Sequence, residues 1–336
     1  MKSIRKNALS ILILLLAVCI LSVSLTACRR TEAETVPEPS TGPAVQGDVI
    51  IPSLPEGLVM EEGLPVLTVY DTASESLIDM DIERYVMGVL AGEMRNDWPM
   101  EALKAQAVLA RTFVLKFIDE KKSRYDGADV STDITEAQAY SEENINERIE
   151  RAVNETRGLV LSAGGELPYA WFHAHAGGMT ELPSKALDYS KADPSYTQAV
   201  ESPDSDKAPT SVKNWSASFP AADVAKAARD SGAAIEAISS IELGDKASSG
   251  RTVYFLINGQ QVSAPSLRVH LDSTRLKSTL LDSVELKGNE ITFTGRGYGH
   301  GVGMSQWGAY GMAEAGKTYP EIISHYFKDV GIARVW

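Results

Sequence analysis

The stretch MDIERYVMGVLAGEM, residues 80–94, places Ile82, Tyr85, Val86, Val89, Leu90 and Met94 at the spacing of one helical face. Glu93 falls on that same face. A carboxyl group packed among apolar side chains loses hydration, which raises its pKa and suits it to act as a general acid near neutral pH. The plain alternative is a glutamate at a helix end that pairs with a cation such as Lys104 or Arg111. Gly88 and Gly92 flank the position and leave the helix surface bare, so a ligand could approach the backbone there.

Three further groups of residues have chemistry-bearing side chains. In PMEALKAQAVLARTFVLKFIDEKK an apolar stripe runs through Met100, Leu103, Ala107, Ala110, Val114 and Phe117. The other side carries Lys104, Gln106 and Arg111, either as solvated charge or as hydrogen-bond donors for a polar, uncharged ligand. YAWFHAHAGG alternates with period two, putting Tyr169, Trp171, His173 and His175 on one face before Gly177-Gly178. That face suits a sugar platform, with core packing the alternative for its aromatics. His-x-His is also metal-ligand spacing, but zinc takes about three or four ligands and only His270, His300 and His325 remain elsewhere. No metal site or cofactor is therefore assigned. GRGYGHGVGMSQWGAYGMAEAG, 295–316, lacks both the phosphate-loop and the dinucleotide glycine patterns. Its glycines let the backbone pass close to another chain, and His300, Ser305 and Gln306 are the polar groups it presents. Ser305 alternatively caps the helix that follows. A G-x-S-x-G nucleophile elbow is absent.

These residues must be positioned by a chain of 336 residues with formal charge −13, a balance that argues against nucleic-acid binding and against docking on anionic lipid. Residues 1–28 read as an export segment: Lys2, Arg5 and Lys6 precede a long apolar run. The run ends in Leu25-Thr26-Ala27-Cys28, which resembles a bacterial lipobox with Cys28 as the lipidated residue. An uncleaved signal anchor is the alternative, since about 20 apolar residues span a bilayer. Either way the body lies outside the cytoplasm, anchored to the membrane. Cys19 and Cys28 are the only cysteines, so disulfides and thiol chemistry are excluded from that body. Residues 29–60, rich in Pro, Thr, Glu and Gly, read as a flexible linker before a domain at 61–336. Within it, 64–71 is strand-like, two helices follow, 195–210 reads as a surface loop, a helix occupies 220–232, and β-like runs lie at 236–243, 251–257 and 290–294. Thr318-x-x-Glu321 with Pro320 is a helix capping box. Helices and strands mix without βαβ alternation, so the fold class is α+β.

Three blocks, DIERYVMGVLAGEMRNDWPMEALKAQAVLARTF, RAVNETRGLVLSAGGELPYAWFHAHAGGMTE and GRGYGHGVGMSQWGAYGMAEAGKTYPEIISHYF, together resemble the stage II sporulation protein D family, whose domain also occurs in an amidase enhancer. The resemblance covers roughly residues 64–333. It implies a peptidoglycan lytic transglycosylase that cuts peptide-stripped glycan strands during forespore engulfment, with Glu93 of the E-M pair as its catalytic acid and base. Lys104, Gln106, Arg111, His173, His300, Ser305 and Gln306 would line the glycan groove, with Tyr169, Gly177 and Gly178 as further contacts. Expected partners are the glycan strands, a cell-wall amidase and a membrane scaffold of the engulfment machinery. Some members bind zinc through cysteines where this chain has TDITEAQ, with Thr132 and Ala137 at those positions, so that site is not expected. His175 and Asp272 also depart from the family pattern. The rival reading is a non-catalytic wall-binding enhancer of an amidase.

Overall fold

The computed structural model describes residues 49–336. The export segment, Cys28 and most of the expected linker lie outside the described residues. The chain is already packed on the main core at Leu54 and Leu58. Strands β1 (Val59–Glu61), β2 (Leu64–Asp71) and β3 (Ser76–Asp81) form an antiparallel meander. β2 alternates as its sequence suggests, turning Pro65, Leu67 and Val69 inward. Asp81 ends β3 and caps helix α1 (Ile82–Glu93), its carboxylate accepting the Arg84 N–H at 3.0 Å. Helix α2 (Met100–Glu120) follows Pro99, and β4 (Val130–Ser131) then pairs parallel with β2.

Next come α3 (Glu147–Glu155), β5 (Leu159–Ser162), β6 (Phe172–His173), α4 (Pro183–Ala186), α5 (Thr210–Lys213), β7 (Trp215–Pro220) and α6 (Ala221–Asp230). β8 (Ile241–Leu243), β9 (Tyr254–Ile257) and β10 (Gln260–Ser263) form a small antiparallel sheet. Helix α7 (Ala264–Leu271) leads to β11 (Leu281–Lys287) and β12 (Glu290–Gly295), with β12 between β11 and β7. The chain closes with β13 (Met304–Ser305), α8 (Gln306–Glu314), α9 (Tyr319–Tyr326) and β14 (Gly331–Arg334), which pairs with β5. The architecture is α+β, with small sheets flanking a helical centre.

Two hydrophobic cores organise the domain. The larger gathers β2, α1, α2, α3, β5, α8 and α9, including Leu67, Val86, Leu103, Val153, Met304 and Tyr326. The smaller lies within 215–293 and packs Phe219, Val224, Phe255, Leu267 and Phe293. Helix α2 is buried on nearly every side, because α1, α3, α8, α9 and β5 all pack on it. A helix enclosed in this way keeps solvated charge only at a few positions, such as Glu101, Lys104 and Lys116, and at its C-terminal end.

The alternation in YAWFHAH extends the backbone, yet only Phe172 and His173 form a ladder, parallel to Met304 and Ser305. A single bridge joins His175 to Tyr298. The glycine-rich segment is thus laid directly against the YAWFHAH stretch. Gly303 shows why it must be glycine: its φ is +69°, and a Cβ there would sit 2.0 Å from the Trp171 carbonyl oxygen.

Candidate active site around Glu93

Helix α1 ends at Glu93, where Met94 turns extended and its N–H bonds the Leu90 carbonyl at 3.0 Å. The Glu93 side chain is half-buried. Its Oε1 accepts the Ala139 N–H at 2.8 Å, and its Oε2 accepts Gln306 Nε2 at 3.3 Å. The bare surface at Gly88 and Gly92 does not receive a ligand. It receives the chain at 139–140: a Cβ on Gly92 would lie 2.7 Å from the Ala139 carbonyl carbon, and one on Gly88 would enter the Tyr140 ring. Gly92 is therefore what brings the Ala139 amide within reach of the carboxylate.

Lost hydration pushes the Glu93 carboxyl pKa up, while the hydrogen bonds from Ala139 and Gln306 pull it partly back, and the net shift is upward. Neither cation considered as its partner is one. Lys104 bonds Glu155 at 2.6 Å and Glu101 at 2.9 Å, tying α2 to α3. Burial alone would lower the Lys104 pKa, but these two carboxylates leave it raised. Arg111 is fully buried and pairs with Glu83 at 2.5 Å. The second Glu83 oxygen accepts the Gly158 N–H and the Trp336 indole N–H, each at 3.0 Å.

The groove residues expected from sequence thus divide. Gln306 meets Glu93 across 213 residues of chain. Arg111 does not line a groove: it is a core cation, because the helical face it shares with Lys104 is covered by the strand at Leu159, whose carbonyl it bonds at 2.9 Å. Gln106 is wholly buried on α2, and its amide has no hydrogen-bond partner among the described residues. Tyr169 stacks on Trp171 at 4.8 Å, gives its hydroxyl to Glu120 and borders a depression of about 570 Å³ that Glu93 does not line. His173 and His175 are buried, so the aromatic-imidazole face is not an open platform. His173 Nδ1 lies 3.1 Å from the Val302 carbonyl, and His300 Nδ1 accepts the Val302 N–H at 3.0 Å. Burial, then the neighbouring charges of Arg268 and Arg251, depress His300 to about 3. Burial likewise holds His173 well below its usual value, so both imidazoles are neutral at physiological pH. Among the described residues no cluster of three or more His, Cys, Asp or Glu is placed to hold a metal ion.

Asp204 supports Gln306 from a distance through Ser305, and it lies in the 195–210 segment whose composition predicts only a surface loop. Its carboxylate accepts Ser305 Oγ at 2.5 Å, Ser202 Oγ at 2.9 Å, and the N–H groups of Gly177 and Gly178 at 2.9 and 3.1 Å. Ser305 in turn caps α8, accepting the Gly308 N–H at 3.2 Å, which fixes the first residue of that helix, Gln306. Ser305, Gly177 and Gly178 therefore build the site's support. No periodic pattern singles out Asp204; the one available signal is an acid amid serines and a proline. Asp204→Ala removes the acceptor these donors share, at about 1–3 kcal/mol for each buried group left unpaired. The expected result is a loss of roughly 3 kcal/mol in urea unfolding together with a fall in whatever turnover depends on Gln306, and Asp204→Asn recovers part of both.

Comparison with known proteins agrees with the residue pattern. A family model described as Stage II sporulation protein matches residues 70–162, the span that contains Glu93 and Ala139. Stage II sporulation protein D of Bacillus amyloliquefaciens is 30% identical over 292 residues, covering 82% of this chain and 80% of that protein. Its namesake in Bacillus subtilis is 29% identical over 314 residues, covering 88% and 84%. An amidase enhancer of Bacillus subtilis is 30% identical over 287 residues, covering 71% of this chain and 39% of that protein. The chain belongs to the stage II sporulation protein D family.

Proposed function

We propose that the protein is a lytic transglycosylase acting on peptidoglycan strands from which the stem peptides have been removed. The observation that carries this reading is the carboxyl group of Glu93, whose pKa is raised by poor hydration and whose hydrogen-bond partners among the described residues are a backbone N–H and an amide. Ordinary glycosidases use two carboxylates, one for the acid and one for the base or nucleophile. A lytic transglycosylase uses one for both. Protonated Glu93 donates its proton to the oxygen between N-acetylmuramic acid C1 and N-acetylglucosamine as the C1–O bond breaks. The Glu93 carboxylate then takes the proton of the muramoyl C6 hydroxyl as O6 bonds to C1. The product is a 1,6-anhydro sugar, no water is consumed, and Glu93 is protonated again. Gln306 serves the second half: its N–H steadies the carboxylate left after the first transfer, which then takes the C6 proton.

Because the first step needs the acid form, release is level below the Glu93 pKa and falls about tenfold per pH unit above it. That alkaline limb lies above the ordinary glutamic acid value of 4.5. Initial rates of anhydro-sugar release across pH check it.

Sporulation, specifically forespore engulfment, is the proposed setting. The proposed location is outside the cytoplasm, with Cys28 lipidated or the apolar segment retained as an anchor. Among the described residues no helix is long and apolar enough to cross a membrane. A cell-wall amidase would supply the stripped strands, and a membrane scaffold would hold the two together. The amidase enhancer among the relatives favours a second reading, in which the domain binds wall and speeds an amidase without cutting glycan. Mass spectrometry of wall digests with and without an amidase separates the two. Anhydro ends released by this protein alone from stripped wall support the enzyme; faster peptide release with no anhydro ends supports the enhancer.

A further inference from the structure

Three aromatic rings stand next to the residues that hold Glu93. Trp98 lies between the end of α1 and the start of α2, Trp307 directly follows Gln306, and Tyr310 is one turn further along α8. The Trp98 and Trp307 centroids are 4.5 Å apart, Trp98 and Tyr310 5.1 Å, and Trp307 and Tyr310 5.2 Å. Trp98 is sealed at 6% exposure, whereas Trp307 and Tyr310 are only half-buried. Trp98 also seats the cluster firmly, since its carbonyl accepts Arg148 Nε at 2.7 Å. Core packing accounts for Trp98 but leaves two large rings partly open on the helix that Gln306 begins.

Two cations border those open rings. Lys207 Nζ lies 5.5 Å from the Tyr310 ring centroid and 3.4 Å from its hydroxyl, and the Arg95 carbonyl accepts the Trp98 N–H at 3.2 Å in the turn between α1 and α2. Each already meets a carboxylate, Glu314 for Lys207 and Asp97 for Arg95. Those pairs are exposed, with 62% and 72% of the cationic side chains open to solvent. Exposed pairs of this kind contribute about 0–1 kcal/mol, so an incoming acid can share either cation at little cost. A partly open aromatic surface with charged groups at its edge suits a ligand that has an apolar ring face and a carboxylate on one side.

We propose that Trp307 and Tyr310, backed by Trp98, form a saccharide subsite beside Glu93 for a muramic acid residue whose lactyl carboxyl is free, with Arg95 and Lys207 reading that carboxylate. The proposal rests on the glycan reading of the Glu93 site. It supplies a chemical reason for preferring stripped strands: removing the stem peptide turns a neutral amide into an anion, which the two cations distinguish.

The test measures binding by the full-length Glu93→Gln protein, which holds strands without cutting them. The probes are peptide-stripped glycan, the same glycan with its lactyl carboxyls converted to methylamides, and an N-acetylglucosamine oligomer. The expected result is binding about tenfold weaker to the methylamide strand and weaker still to the oligomer. Adding Tyr310→Ala or Trp307→Ala weakens binding of stripped strands about tenfold, and Tyr310→Phe restores it. Adding Lys207→Gln with Arg95→Gln lowers affinity for the free acid to that of the methylamide, with the melting temperature unchanged. Equal binding of acid and methylamide strands overturns the proposal, as does full affinity in a folded Tyr310→Ala protein. Failure of the Glu93→Gln parent to bind any of the three overturns the glycan reading itself.

Discussion

Replacing Glu93 by glutamine leaves the fold intact and lowers release of anhydro-muropeptides from stripped peptidoglycan by about three orders of magnitude or more. A positioned general acid or base typically contributes 10²–10⁴-fold, and here one group performs both transfers. Glutamine keeps an oxygen for the Ala139 N–H, so the 139–140 segment stays in place while the transferable proton is lost. The same substitution affects stability with a definite sign. A carboxyl group whose folded pKa is raised favours the native state in its protonated form, and that contribution is lost as pH rises through the folded value. Glu93→Gln is therefore more stable than the parent at neutral pH, and the difference closes below the ordinary value of 4.5. Thermal melts of both proteins at several pH values check this independently of any assay of activity.

The second large effect concerns Arg111. Arg111→Ala destabilises the domain by about 3–5 kcal/mol, because it strands the buried Glu83 carboxylate without its counter-ion. Burial depresses the Arg111 pKa and Glu83 pulls it back up, so each charge is tolerated only because of the other. The double substitution Glu83→Gln with Arg111→Met removes both charges and recovers much of the loss. Urea midpoints for the two single variants and the pair measure the coupling. A groove residue would behave differently, weakening glycan binding while leaving the unfolding curve in place.

That contrast marks where the sequence is legible. The amphipathic pattern of α1 predicts the helix and puts Glu93 on its apolar face; the sequence leaves its cap open between Asp79 and Asp81, and the structure uses Asp81. The strand at 64–71, the helix near 220–232 and the Thr318–Glu321 capping box are equally local and appear as expected. Periodicity cannot say that α2 is enclosed from several directions, so it assigned Arg111 to an open face shared with Lys104. It could not pair Gln306 with Glu93 either, since a contact spanning 213 residues leaves no trace in local spacing. The Ala139 N–H is a backbone group and has no side-chain signature. Asp204 reaches Ser305 over 101 residues from within a serine-rich loop. The glycines beside Glu93 were recognised as room for a close approach, but what approaches is the protein's own chain.

Mass spectrometry of glycan ends formed in ¹⁸O-labelled water, with peptide-stripped strands and no other enzyme present, probes the mechanism at its core. If one desolvated carboxyl group performs both proton transfers, the parent yields 1,6-anhydro ends free of label and the Glu93→Gln protein yields none. Labelled reducing ends from the parent, or unlabelled anhydro ends at the parental rate from the variant, would contradict that account.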